Sequence, residues 1–283
     1  MKIAVLSGKG GTGKTLVSVN LTAVGDAYQY LDCDVEEPNG HLFFKAEPIQ
    51  SRAVNVKIPV IDHEKCNRCR ECVDFCAFNA LAFIQNKVKV FDSICHSCGG
   101  CALLCKQNAI NEVEKTIGII ETRREGIKQI KTGKLNIGEE TGVPIIKAML
   151  AETSKESHMI IDCPPGSSCM VMESIKDADY CILVAEPTTF GAHNLEMVHD
   201  LVKLFEKPHG VILNKDLGVP NKTESYCQAQ GIDVLMRLPF DREVAFLSSN
   251  GEIISNHLER YQIAFRDTLR HIEEQINEAI TRP

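Results

Sequence analysis

The chain carries no surplus of basic charge: 31 Lys and Arg stand against 38 Asp and Glu, a formal net charge of −7 over 283 residues. Nucleic acid and anionic lipid are therefore disfavoured partners, because attraction to a phosphate surface needs clustered cations. There is also no apolar run near the roughly 20 residues that span a bilayer. Residues 1–6 are apolar for only a few positions before glycines follow, which reads as a buried strand rather than an export signal. The expectation is a cytoplasmic protein in a reducing compartment, where thiols stay free. The 13 cysteines then need an explanation other than disulfides.

Eight of them repeat one spacing, Cys66-x2-Cys69-x2-Cys72-x3-Cys76 and Cys95-x2-Cys98-x2-Cys101-x3-Cys105. The repeat continues past the cysteines, with Asn79-Ala80-Leu81 matching Asn108-Ala109-Ile110, as in a duplicated half-domain. Structural zinc uses two CxxC pairs per ion, and a third and fourth cysteine in each run exceed that need. Residues 59–112 resemble a bacterial-type ferredoxin holding two [4Fe–4S] clusters, in which three ligands come from one loop and the fourth from the other repeat. That resemblance implies Cys66, Cys69, Cys72 and Cys105 for one cluster and Cys95, Cys98, Cys101 and Cys76 for the other. The proline usual after the fourth cysteine is replaced by Ala77 and Lys106, which removes no ligand.

The second motif is Gly8-Lys9-Gly10-Gly11-Thr12-Gly13-Lys14-Thr15, a full match to G-x4-G-K-[ST] between an apolar strand and a helical pattern. Glycines let backbone N–H groups turn towards a phosphate, and the helix that follows presents its positive end. In this pattern Lys14 reaches the β- and γ-phosphates of ATP and the Thr15 hydroxyl ligates Mg2+. Lys9 makes the loop resemble the deviant Walker A motif of the MinD, ParA and nitrogenase iron-protein family. In that family the early lysine contacts the phosphates of the other subunit, which implies a nucleotide-sandwiched homodimer.

Other segments fit the same resemblance. The strand 28–33 ends in Asp34 and resembles the family's first switch, where an aspartate orients the attacking water. Residues 158–161 form an apolar strand ending in Asp162, followed by Cys163-Pro164-Pro165-Gly166, and resemble Walker B with the second switch. Asp162 is the candidate for holding magnesium through water. Asn214, ending the strand 211–214, resembles the adenine-recognition position, and Pro239 in Leu238-Pro239-Phe240-Asp241 is the remaining candidate for a base wall.

Apolar strands alternating with helical patterns predict a doubly wound, mostly parallel α/β core, with its sites at the carboxyl ends of the strands. The expected organisation is a discontinuous P-loop ATPase domain over 1–58 and 113–283 and an inserted α+β ferredoxin unit over 59–112. Residues 116–142 alternate apolar with charged residues and predict strands or a hairpin leading back to the core. Near the C-terminus Phe265, Leu269, Ile272, Ile276 and Ile280 form one helical stripe, with Glu273, Glu274 and Glu278 on the polar side. A membrane-surface helix would carry Lys and Arg there, so the stripe predicts core packing and no stable membrane anchor.

Of the other cysteines, Cys33, Cys163, Cys169, Cys181 and Cys227, none forms a CxxC, and Cys33 and Cys181, inside strands, read as small apolar residues. Cys169 follows Asp162 by seven residues, resembling the cluster-ligand position of the nitrogenase iron protein, which implies a place near a subunit interface. The resemblance as a whole is to MinD-superfamily ATPases with an inserted ferredoxin. It implies ATP hydrolysis coupled to electron transfer through the clusters towards an unidentified protein partner. The alternative is a redox-sensing regulatory ATPase that recruits its partner without passing it electrons.

Overall fold

Strands as short and as continuously apolar as residues 2–6 and 180–185 are stable only when both faces are covered. The computed structural model meets that need with a nine-stranded sheet between two layers of helices. It describes residues 1–26, 28–153 and 158–281, with the helical path alone for 279–281. In chain order the elements are β1 (Lys2–Leu6), α1 (Lys14–Val24), β2 (Tyr28–Asp32), β3 (Pro48–Ile61), α2 (Glu71–Phe75), β4 (Leu81–Ile84), β5 (Lys87–Val90) and α3 (Gly100–Leu104). They continue with β6 (Ile110–Glu125), β7 (Lys128–Leu135), α4 (Val143–Ala151), β8 (His158–Asp162), α5 (Cys169–Ile175) and β9 (Tyr180–Ala185). The remainder are α6 (Thr189–Leu204), β10 (His209–Asp216), α7 (Lys222–Gln230), β11 (Val234–Pro239), α8 (Arg242–Ser249) and α9 (Glu259–Thr281).

The strand order is β11-β10-β9-β1-β8-β2-β7-β6-β3. Strands β11 to β7 in that order run parallel, and the last two are antiparallel additions at one edge. Alternation along β1 divides the core. Ala4 and Leu6 face a layer with Ile145, Met149, Val171 and Val198, whereas Ile3 and Val5 face Val17, Leu21, Phe265 and Leu269. Strand order reverses beside β1, so the first βα turn opens at the switch point where doubly wound sheets bind ligands.

The predicted strands or hairpin over 116–142 is the β6–β7 hairpin, joined at Glu125↔Lys128. Strands β3 and β6 pair over their whole lengths, from Pro48↔Arg123 to Ile61↔Ile110, but β7 ends with Leu135 opposite Gly118. Beyond that point the β3–β6 ribbon continues alone past the carboxyl edge of the sheet. The expected divisions at 58/59 and 112/113 therefore fall inside continuous strands, and the core passes into a small second unit without a flexible linker. That unit holds α2, α3 and the β4–β5 hairpin around Leu81, Val88, Cys101 and Ile110.

Phe265, Leu269, Ile272 and Ile276 are all buried against the sheet, as the stripe on the last helix predicts; the side chain of Ile280 lies outside the described residues. No helix among the described residues is long and apolar enough to cross a membrane. Phe265→Ala should lower unfolding free energy by about 3–5 kcal/mol in denaturant titration, the usual cost of deleting a buried ring. Ile263→Ala on the same helix, at a side chain 49% exposed, should change it by less than about 1 kcal/mol.

Candidate functional site

A cavity of about 930 Å3 opens at the carboxyl ends of β1, β2 and β8. Its floor is the glycine loop: Gly10, Gly11, Gly13, Lys14 and Thr15 line it, with Asp34, Glu36, Glu37 and Asn39 on one wall and Pro165 on another. Two glycines are forced by contact. A Cβ on Gly8 would lie 2.2 Å from the Asn194 carbonyl oxygen, and one on Gly13 would lie 2.2 Å from Asn214 Nδ2. Gly13 also takes φ 101° as it caps α1, a conformation that side chains resist.

Behind the loop the charges are unbalanced. Asp32 and Asp162 are neighbours on adjacent strands, both almost fully buried. Tyr30 donates its hydroxyl to Asp162 Oδ2 at 2.8 Å, and the backbone N–H groups of Gly40 and Asp34 donate to Asp32. Burial and the neighbouring Asp162 hold Asp32 well above the usual carboxylate range, and burial also raises Asp162, against the pull of Lys14. Asp34 is half-buried; burial, reinforced by Asp162 and Glu36 and opposed by Lys14, pushes it up to about 6. Asp162 Oδ1 is buried without a hydrogen-bond partner. Asp34 and Asp162 thus share one buried lysine while Asp32 adds a third acid beside Asp162, and the unpartnered oxygen is where further positive charge would be accommodated.

Not every candidate residue faces this cavity. Lys9 turns away and pairs with Glu186 at 2.8 Å. Asn214 donates from Nδ2 to the Thr12 carbonyl oxygen at 2.7 Å, while its Oδ1 accepts from the Lys215 N–H, so both ends of the amide are engaged. Pro239 closes β11 at the surface and does not line the cavity. Ser248, Ser249, Asn250 and Gly251 do line it, at the end of α8. Sequence reading missed them, because a short helix ending Ser-Ser-Asn-Gly signals only a C-terminal stop. Cys169 is exposed at the start of α5.

The small unit contains a second constellation. One cavity is lined by Cys66, Cys69, Cys72 and Cys105, and another, of about 210 Å3, by Cys76, Cys95, Cys98 and Cys101. Backbone irregularities repeat with the cysteines: Arg68 matches Ser97 and Asn79 matches Asn108 in positive φ, and Arg70 and Gly99 cap α2 and α3 in the same left-handed conformation. Backbone N–H groups aim at sulfur in equivalent places, Ala80 to Cys76 Sγ and Ala109 to Cys105 Sγ, both at 3.3 Å. Among the described residues no three His, Cys, Asp or Glu side chains gather as they would about a metal ion.

The small unit touches the core at residues 139–141. The Cys95–Ser97 loop faces Glu139, Glu140 and Thr141 across a narrow crevice, and Lys115 ties Glu139 at 2.9 Å to Asp92 at 3.3 Å. One residue on, Gly142 packs so closely on Val35 that a Cβ would come within 2.1 Å of it, and within 3.1 Å of Met170. The Leu135 N–H donates to the Val35 carbonyl oxygen at 2.8 Å.

A glycine loop at the switch point of a parallel sheet, with a strand-end aspartate behind it, defines a P-loop nucleotide-binding protein. Residues 3–254 match the family model for the CobQ/CobB/MinD/ParA nucleotide binding domain, and the chain belongs to that family. Two uncharacterised proteins of Methanocaldococcus jannaschii are 28% and 27% identical to it, with 98% of this chain and 98% and 97% of theirs covered. Among solved structures, its fold is similar to the cell-division ATPase MinD of Pyrococcus furiosus (TM-score 0.60, 18% identity, 97% and 98% of the two chains covered). It is also similar to the septum site-determining protein MinD of Pyrococcus horikoshii complexed with Mg-ADP (TM-score 0.59, 17% identity, 97% and 96% covered).

Gly13→Ala should weaken nucleotide binding tenfold or more in calorimetric titration, since the methyl displaces Asn214 and strains the cap by about 1–3 kcal/mol.

Proposed function

We propose that the chain is an ATP-hydrolysing iron–sulfur protein, a nucleotide-dependent homodimer in which ATP binding and hydrolysis are coupled to electron transfer through two [4Fe–4S] clusters. The observation that carries the cluster half of this reading is the exchange of fourth cysteines. Cys105 stands at the cavity of the first run and Cys76 at the cavity of the second, the arrangement expected of a two-cluster ferredoxin. N–H groups directed at Cys76 and Cys105 sulfur suit thiolate ligands, whose charge they would stabilise. Bound in these cavities, a [4Fe–4S] cluster supplies a one-electron carrier. The residues around it set its exposure and the hydrogen bonds to its sulfurs, which are what tune potential.

For the nucleotide half, the assignments follow charge and reach. Lys14 neutralises phosphate charge from within the loop, and Lys9 does so across the dimer. The Thr15 hydroxyl and the unpartnered Oδ1 of Asp162 fit a magnesium ion and its waters. Held there, magnesium would supply positive charge against the phosphate charge that develops in phosphoryl transfer and would balance the surrounding carboxylates. Asp34 accepts a hydrogen bond from the attacking water and so orients it, a role that needs the ionised carboxylate. Phosphoryl transfer asks the protein mainly for positioning and electrostatics, which these side chains supply. Pro239 forms an exposed base wall, and Asn214 reaches an adenine edge once it gives up its bond to Thr12. The protein partner that exchanges electrons with the clusters is unidentified.

Anaerobically purified protein should contain about eight iron atoms per chain, four per cluster, and Cys98→Ala should lower this to about half; iron near one atom per chain would exclude the reading. Lys14→Ala should abolish ATP turnover without loss of iron. Turnover should also depend on Asp34. As pH falls through about 6 this carboxyl gains its proton, so kcat/KM for ATP should fall on the acid side. Asp34→Asn should be inactive at every pH.

A further inference from the structure

Two lysines share one carboxylate behind the phosphate loop. Glu186 follows β9, and its side chain is only 11% exposed. Its Oε2 accepts from Lys9 at 2.8 Å and its Oε1 from Lys215 at 2.6 Å. Lys215 also donates to the Gly11 carbonyl oxygen at 3.1 Å, which ties the end of β10 to the loop. Burial raises the Glu186 carboxyl, but the two ammonium groups outweigh it and hold the group below the usual range.

We propose that Glu186 is a positioning residue that keeps Lys9 on its own subunit while the dimer is open, and that Lys215 is the standby cation that lets Lys9 go. The proposal rests on the reading of Lys9 as a group that reaches the phosphates of the other subunit. A Lys9 ammonium seated on Glu186 is not available to a phosphate across an interface. Its side chain is 40% exposed, so it has solvent-facing room to swing once the pair opens. A buried carboxylate stripped of its only cation is strongly disfavoured. With Lys215 still in place, Glu186 is never stripped, and Lys9 exchanges one anion for another. Lys9, Glu186 and Lys215 therefore act as a relay in which the buried negative charge is compensated in both states.

Removing the two ends of the relay should have opposite effects, which a merely structural role would not produce. Glu186→Gln frees Lys9 in the open state, so dimerisation should need less nucleotide. Lys215→Met leaves Lys9 as the sole partner of Glu186, so dimerisation should need more. The experiment is sedimentation of the full chain with magnesium and a non-hydrolysable ATP analogue, reading the analogue concentration at half-dimerisation. Thermal unfolding confirms that each variant is folded. A decrease for Glu186→Gln and an increase for Lys215→Met are expected, each about threefold or more, the scale of a partly exposed ion pair. Glu186→Asp, whose shorter arm cannot span both lysines, should shift in the direction of Glu186→Gln by a smaller factor. Shifts of the same sign in Glu186→Gln and Lys215→Met, or no shift in either, would overturn the proposal. A parent protein that binds the analogue and stays monomeric would remove the reading of Lys9 itself, and the relay with it.

Discussion

The structure depends on a charge imbalance at the carboxyl ends of β2 and β8. Asp32, Asp34 and Asp162 converge there, and Lys14 is the cation that acts on Asp34 and Asp162. Tyr30 and the Gly40 and Asp34 N–H groups satisfy part of this negative charge, but one oxygen of Asp162 is left unpartnered. Such a site is stable as a receiver for positive charge, and magnesium nucleotide is what the surrounding glycine loop is shaped to bring. Burial, with Asp162 and Glu36 nearby, pushes the Asp34 carboxyl up to about 6 against the pull of Lys14. Its ionised form is thereby linked to what occupies the loop. Lys9 stands outside this cluster because Glu186 has already claimed it.

The second constraint is geometric. The β3–β6 ribbon leaves the sheet on the edge that carries the nucleotide loops, so the eight-cysteine unit is built on that side of the molecule. Contact between the two parts concentrates at residues 139–142. One end of this segment faces the Cys95–Ser97 loop, and the other packs on Val35 beside Asp34 and on Met170 beside Cys169. Close packing makes such a segment move in discrete steps rather than by smooth deformation. A rearrangement of either switch on nucleotide binding would meet Gly142 directly, with no side chain of its own to absorb the change. This supports coupling by contact. The warrant for coupling itself is a measured response of one site to the other.

Much of this was legible in the sequence, for a physical reason. Glycine spacing, strand-end aspartates and the cysteine repeat are local patterns in which the chemistry dictates the residue, so Lys14, Thr15, Asp162 and the repeated cysteines stand out as candidates when the chain is read in order. The last helix declared its buried face through the spacing of Phe265, Leu269, Ile272 and Ile276. What stayed hidden depends on tertiary placement. Nothing near Glu186 in the sequence pairs it with Lys9, and the Ser248–Gly251 turn reaches the nucleotide cavity only because α8 packs beside the loop. Asn214 lies two residues before the end of β10, and its amide bonds to Thr12, a partner 202 positions away in sequence. The ribbon that carries the small unit was invisible because the cysteine motif suggested a boundary where the backbone runs straight through.

The claim that binds these parts together is that nucleotide at the glycine loop alters the environment of the cysteine unit. An anaerobic potential titration followed by electron paramagnetic resonance tests it most directly, with no nucleotide, with ADP and with a non-hydrolysable ATP analogue. A displacement of the cluster midpoint by about 60 mV or more, equal to roughly 1.4 kcal/mol for one electron, is the expected result. Superimposable curves in all three states would contradict the coupling.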